Sequence, residues 1–115
     1  EACDELGVIH LQHYGKDFAS SGHLYLTRIP GARDEQRREI ITKLAERGVN
    51  TNVHYKPLPM MTAYKNMGWD IKNFPNAYAY YENLITLPLH TKLSDEDVEY
   101  VTENFKAVVS AYTSK

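Results

Sequence analysis

The sequence has little of what most often announces an activity. It holds one cysteine, Cys3, so no internal disulfide can form and a reducing cytoplasm is the expected setting. No apolar run approaches the ~20 residues needed to span a bilayer, so no membrane partner is expected. The six glycines stand singly, which leaves no glycine-rich loop to cradle a phosphate. There is no Gly-x-Ser-x-Gly elbow for a nucleophile and no His-Glu-x-x-His helix for zinc. Charge of one sign is missing too. A formal charge of -2 and a pI near 6.2 give no basic face for a nucleic acid backbone. The chain also lacks an initiator Met. It begins Glu1-Ala2-Cys3-Asp4-Glu5 with no signal-peptide apolar core, and reads as processed or excised from something longer.

What is there suits one soluble domain. The 115 residues, 43% hydrophobic and 24% charged, have room for a single core and no signature of disorder. Residues 1–21 read as a loop or short strand lead-in around Val8 to Leu11, and residues 22–112 as the core. His23 to Ile29 alternates as a strand, with Leu24, Leu26 and Arg28 on one side and Tyr25, Thr27 and Ile29 on the other. Asp34 to Arg47 reads as a helix capped by Asp34, with Ile40, Ile41 and Leu44 inward and Gly48 in the left-handed position past its end. Its alternating charges, Arg33, Arg37, Arg38, Lys43 and Arg47 among Asp34, Glu35, Glu39 and Glu46, read as a solvated face.

Thr51 to His54 reads as a second strand, ended by Lys56-Pro57. Met61 to Met67 gives one or two helical turns, broken by Gly68. Pro75 opens a helix to about Asn83, with Ala77, Tyr81 and Leu84 as its inner line. Leu84 to Leu87 is a third strand, closed by Pro88. In the last helix Ser94 and Asp97 form a capping box, and Val98, Val101, Phe105, Val108 and Val109 form one apolar stripe. The expected fold is an α/β (α+β) sandwich: a small sheet of three to four strands covered by helices.

Few residues offer chemistry. His10 and His13 are three apart, and the other histidines are scattered with no cysteine pair near them, so no metal site is expected. The nine tyrosines read as packing, with Tyr78, Tyr80 and Tyr81 holding a helix to the sheet and their hydroxyls at the rim. The segment Val53-His54-Tyr55-Lys56-Pro57-Leu58-Pro59 stands apart. It packs an imidazole, a phenol and an ammonium into a proline-braced loop at a strand end. Such a loop can be plain surface, or it can touch a ligand through the hydrogen bonds of His54 and Tyr55.

The order of motifs carries more. GHLYLTR, then RDEQRREIITKLAERGVNTNVHYKPLP, then AYKNMGW and FPNAYAYYENLITLPLHTKLSDEDVEYV resemble the C-terminal small domain of the DegT/DnrJ/EryC1/StrS aminotransferases, over roughly four fifths of the chain. The resemblance implies a pyridoxal-phosphate (PLP) enzyme that moves an amino group, usually from glutamate, to a keto-sugar nucleotide. It implies that the large domain of the same polypeptide carries the cofactor lysine, the carboxylate and the phosphate groups, so this chain holds no catalytic or cofactor residue and is inactive alone. It also implies a homodimer with the active site near its interface. Carried over by position, His54 and then Tyr55 meet the substrate, with Arg28 and His23 also at family positions. The family often has a second histidine shortly after the proline pair, where this chain has Met60-Met61. Two other readings stand beside this one: a stand-alone α/β ligand-binding or regulatory module, and the small domain of a related sugar dehydratase.

Overall fold

In the computed structural model, which describes residues 1–113, a three-stranded antiparallel sheet forms the frame, in the order β1-β2-β3. The strands are β1 (Ile9–His10), β2 (Tyr25–Arg28) and β3 (Leu84–Leu87). Tyr25 stands opposite Leu87 and Arg28 opposite Leu84, so the Arg28 end of β2 lies at the start of β3. The sheet and its helices match the expected α/β class. The 1–115 span expected for the domain includes residues 114–115, which lie outside the described residues.

Five helices surround the sheet: α1 (Ala2–Leu6), α2 (Asp34–Glu46), α3 (Thr62–Asn66), α4 (Pro75–Tyr81) and α5 (Asp95–Val109). Helix α2 packs on β3 and on α5, and α1 packs on α5. Between them lies a dry core centred on Ile29, Ile40, Leu44, Ile85, Phe105 and Val109, each at most 1% exposed. Burying each such side chain is worth about 1.5–3 kcal/mol. The alternation in β2 puts Thr27 in this core, where its hydroxyl donates to the Ile85 carbonyl at 2.8 Å. That bond offsets the cost of burying a hydroxyl. Gly48 takes φ +76° after α2, a conformation costly for any residue with a Cβ.

Several expectations are corrected. A short helix, α1, precedes β1, and it brings Cys3 and Leu6 into the core. Five residues are too few for a periodicity to show. The cap of α2 is Arg33, one residue earlier than expected. Its backbone N–H donates to Gln36 Oε1 at 3.0 Å, while Asp34 pairs with Arg37 and Arg38. Arg37 does not sit on a solvated face. It is 3% exposed, lies over the Tyr81 ring, and donates to the Tyr81 carbonyl.

The expected strand at Thr51 to His54 is reduced to one bridge, Asn52 to Thr86. The backbone N–H of Val53 donates to the Asn52 side chain at 2.7 Å, so the ladder does not extend. Helix α4 ends at Tyr81, and Ala77 is exposed instead of lying on its inner line. Tyr78 and Tyr80 are exposed, and only Tyr81 of the three is buried. Along α5 the stripe is buried at Phe105, Val108 and Val109, but Val98 is 51% exposed.

Candidate functional site

The site is built where the Asn52 bridge meets β3. Thr86 exchanges backbone bonds with Asn52, donating at 2.7 Å and accepting at 3.1 Å. Two residues on, the chain turns out and the His54 Nδ1 sits 3.0 Å from Thr86 Oγ1. The His54–Tyr55 peptide is cis. The two rings meet edge to face, with centroids 4.7 Å apart, a favoured aromatic geometry. Tyr55 is 67% exposed, so its hydroxyl is free to meet a ligand.

His54 lines a cleft of about 280 Å³ together with His23, Asn50, Thr51, Thr86 and Leu89. Thr51 Oγ1 is buried there and has no hydrogen-bond partner among the described residues. The fold therefore brings His23 and His54, 31 positions apart in sequence, to one opening of mixed polar and apolar lining at the Leu87 end of the sheet. Imidazoles, an amide and hydroxyls can bind an oxygen-rich ligand by donating and accepting hydrogen bonds.

Arg28 is elsewhere. It lies at the far end of β2, five residues along the chain from His23. Its Nε donates to Asn83 Oδ1 at 3.0 Å and its Nη2 to the Ala79 carbonyl at 3.1 Å. The guanidinium lies 4.5 Å from the Tyr80 ring centroid. It lines a separate cavity of about 200 Å³ with Ile9, His10, Gln12 and Tyr80.

Two apolar cavities were not foreseen. One, of about 320 Å³, is walled by Pro57, Leu58, Pro59, Tyr64, Trp69 and Phe74. Trp69 and Phe74 approach to 5.6 Å between centroids. The recurrence of prolines and aromatics over residues 57–74 is the signal that could have announced it. The other, of about 420 Å³, lies between α1, the end of β3 and the first half of α5, with Val98 and Leu89 at its wall. The residues lining it lie far apart in sequence, so no local pattern points to it.

Among the described residues no group of three His, Cys, Asp or Glu side chains could hold a metal ion. His10 and His13 instead stack on Tyr25, at 6.4 and 5.8 Å between centroids. No helix among the described residues is long and apolar enough to cross a membrane. Burial pushes the Cys3 thiol up, which lowers the thiolate fraction that reactivity requires.

An antiparallel sheet backed by helices is the fold that this chain shares with solved aminotransferase structures. The chain belongs to the DegT/DnrJ/EryC1/StrS aminotransferase family, whose model matches residues 1–106. Among solved structures it is similar to "Putative sugar aminotransferase Spr1654 from Streptococcus pneumoniae, PLP-form", at 51% identity and a TM-score of 0.89, over 99% of this chain and 30% of that one. Among curated proteins it is 36% identical to the spore coat polysaccharide biosynthesis protein SpsC of Bacillus subtilis (strain 168), over 76% of this chain and 23% of that protein. It is 28% identical to the UDP-4-amino-4,6-dideoxy-N-acetyl-beta-L-altrosamine transaminase of Campylobacter jejuni (serotype O:2), over 89% of this chain and 26% of that protein. The chain thus spans between 23% and 30% of the length of these relatives.

The Streptococcus protein is known in forms with PLP and with PMP, so the fit of this chain to such a cofactor can be asked directly. None of the four cavities is lined by a lysine. Lys43 is paired with Glu39 and Tyr112, and Lys106 with Glu5.

Proposed function

We propose that this chain is the C-terminal small domain of a PLP-dependent nucleotide-sugar aminotransferase. The complete polypeptide would move an amino group from glutamate to a keto-sugar nucleotide, acting as a cytoplasmic homodimer. PLP, carried by the rest of the polypeptide, supplies the amino-group relay between the two substrates. Relatives named as transaminases of amino-dideoxy sugar nucleotides, each matched over only about a quarter of its length, support this reading.

The observation that carries it is the setting of His54. The ring is held through Nδ1 against Thr86, in the lining of a cleft shared with His23, Asn50 and Asn52. Holding a polar group before the ligand arrives lowers the entropic cost of binding. In this reading His54 hydrogen-bonds the nucleotide-sugar, Tyr55 donates its exposed hydroxyl beside it, and His23 closes the opposite wall. Arg28 ranks last among the four, because reaching a ligand requires it to give up a bond to Asn83 or Ala79.

The test uses the full-length enzyme supplied with glutamate and a keto-sugar nucleotide. Amino sugar and 2-oxoglutarate should form in equal amounts. His54→Ala should lower kcat/KM for the sugar nucleotide by about 1–3 kcal/mol in transition-state terms, with the melting temperature held. A large fall in melting temperature with unchanged kinetics would make His54 a structural residue.

A further inference from the structure

Thr86 is 5% exposed in the middle of β3. Its backbone is bonded to Asn52 on one side, and it stands opposite Leu26 on the other. A β-branched side chain in such a strand has few rotamers open to it, so Oγ1 is a fixed point. Among the described residues its only hydrogen-bond partner is His54 Nδ1, at 3.0 Å.

A hydroxyl carries one donor and two acceptor sites, while a neutral imidazole carries one of each. If Nδ1 held the proton and donated to Oγ1, the buried hydroxyl would have no acceptor for its own hydrogen. An unsatisfied buried donor costs the full desolvation of that group, more than a spare lone pair costs. The hydroxyl therefore donates and Nδ1 accepts. A neutral ring whose Nδ1 accepts must carry its proton on Nε2, and Nε2 has no partner among the described residues.

We infer that Thr86 is a positioning residue: its buried hydroxyl locks His54 in the Nε2–H tautomer and presents that N–H as a fixed donor toward the cleft. This deepens the proposed role of His54 and rests on it. The ligand atom it selects is an acceptor oxygen, phosphoryl or carbonyl, and not an amine. The assignment gives His54 a direction that its place in the sequence does not.

The test is nitrogen NMR of full-length enzyme labelled with ¹⁵N-histidine, with His54→Gln used to assign the signal. In the unmodified enzyme the His54 Nδ1 should resonate as an unprotonated nitrogen and Nε2 as a protonated one. Thr86→Val should yield a mixture of tautomers, and Thr86→Ser should restore the single form. With the sugar nucleotide, Thr86→Val should raise KM on the order of tenfold, as loss of one oriented hydrogen bond does, and leave kcat within about twofold. Thr86→Ser should recover most of that loss.

A protonated Nδ1 in the unmodified enzyme overturns the inference outright, whatever the variants do. So does a Thr86→Val spectrum in which the tautomer is unchanged. If Thr86→Val fails to fold, the unmodified enzyme and Thr86→Ser still decide the matter. The tautomer is read without turnover, so an enzyme that shows it but transfers no amine refutes the proposed activity and leaves the Thr86–His54 unit standing.

Discussion

Arg37 shows how a single residue escapes its sequence context. Charges surround it along α2, yet at 3% exposure it is more buried than Val108. It joins α2 to the end of α4 through the Tyr81 carbonyl and ring, and it pairs with Asp34. Its Nε is buried with no partner among the described residues, so the site is an imperfect compromise. Truncation strands the Tyr81 carbonyl and removes one of the two arginine partners of Asp34. Arg37→Ala should cost about 3–5 kcal/mol, the usual loss on breaking a buried pair, seen as a lower denaturant midpoint at unchanged slope. Arg38→Ala, 72% exposed and paired with the same Asp34 at 2.7 Å, should cost less than about 1 kcal/mol. Equal losses in the two variants would show that the Tyr81 contact contributes nothing. Both are arginines on one helix with one acidic partner, and only the packing of α4 separates them.

At the scale of the element, α5 is the part whose local rules agree with one another. Ser94 Oγ accepts from the Asp97 backbone at 3.1 Å, and the Asp97 carboxylate accepts from the Ser94 backbone at 2.9 Å. Three acids, Asp95, Glu96 and Asp97, sit at the positive end of the helix dipole. Ser94→Ala should cost about 1 kcal/mol. The Ser94 backbone bond, then its side chain, holds the Asp97 carboxyl below the usual carboxylate range. A carboxyl depressed on folding stabilises the fold above its unfolded pKa. The contribution of Asp97 is therefore present at neutral pH and fades as pH falls through the ordinary carboxylate range toward its lower folded value. Denaturation of Asp97→Asn between pH 7 and pH 3 should show a shallower acid loss than the unmodified protein. An identical slope would mean that the cap bond does not depend on charge. The same stripe that was legible in sequence also splits in space. Phe105 is 1% exposed and Val98 is 51% exposed: both line the cavity of about 420 Å³, but only Phe105 is also part of the core cluster.

At the scale of the whole molecule, the chain matches its family across residues 1–106 and spans between 28% and 31% of such solved relatives. A cleft lined by His23 and His54 is present, and none of the four cavities described above is lined by a lysine. Borohydride reduction of the native enzyme from its source cells, followed by peptide mapping, should find a pyridoxyl-lysine upstream of Glu1, in a polypeptide some three times longer. The excised 115 residues should show no transamination. An unmodified polypeptide of that length would favour the dehydratase relatives, and a native product of 115 residues would favour a binding module.

Local order determined what depends on local order. The alternation of Tyr25 to Arg28, the run Leu84 to Leu87 and the box at Ser94 each fix an element within a few residues, since propensity, capping and periodicity act over one or two turns. The succession of motifs likewise fixed the family. The tertiary structure alone decided what depends on distant partners. A strand signal at 51–54 becomes one bridge, because a ladder needs its neighbour at every step. Arg37 is buried because α4 closes over it. His54 meets Thr86 across 32 positions, and the Arg28 side chain is bonded to Asn83 and Ala79, 55 and 51 positions away. Spacing along a chain carries no information about such pairs. Their geometry exists only once the sheet has brought its two ends into register.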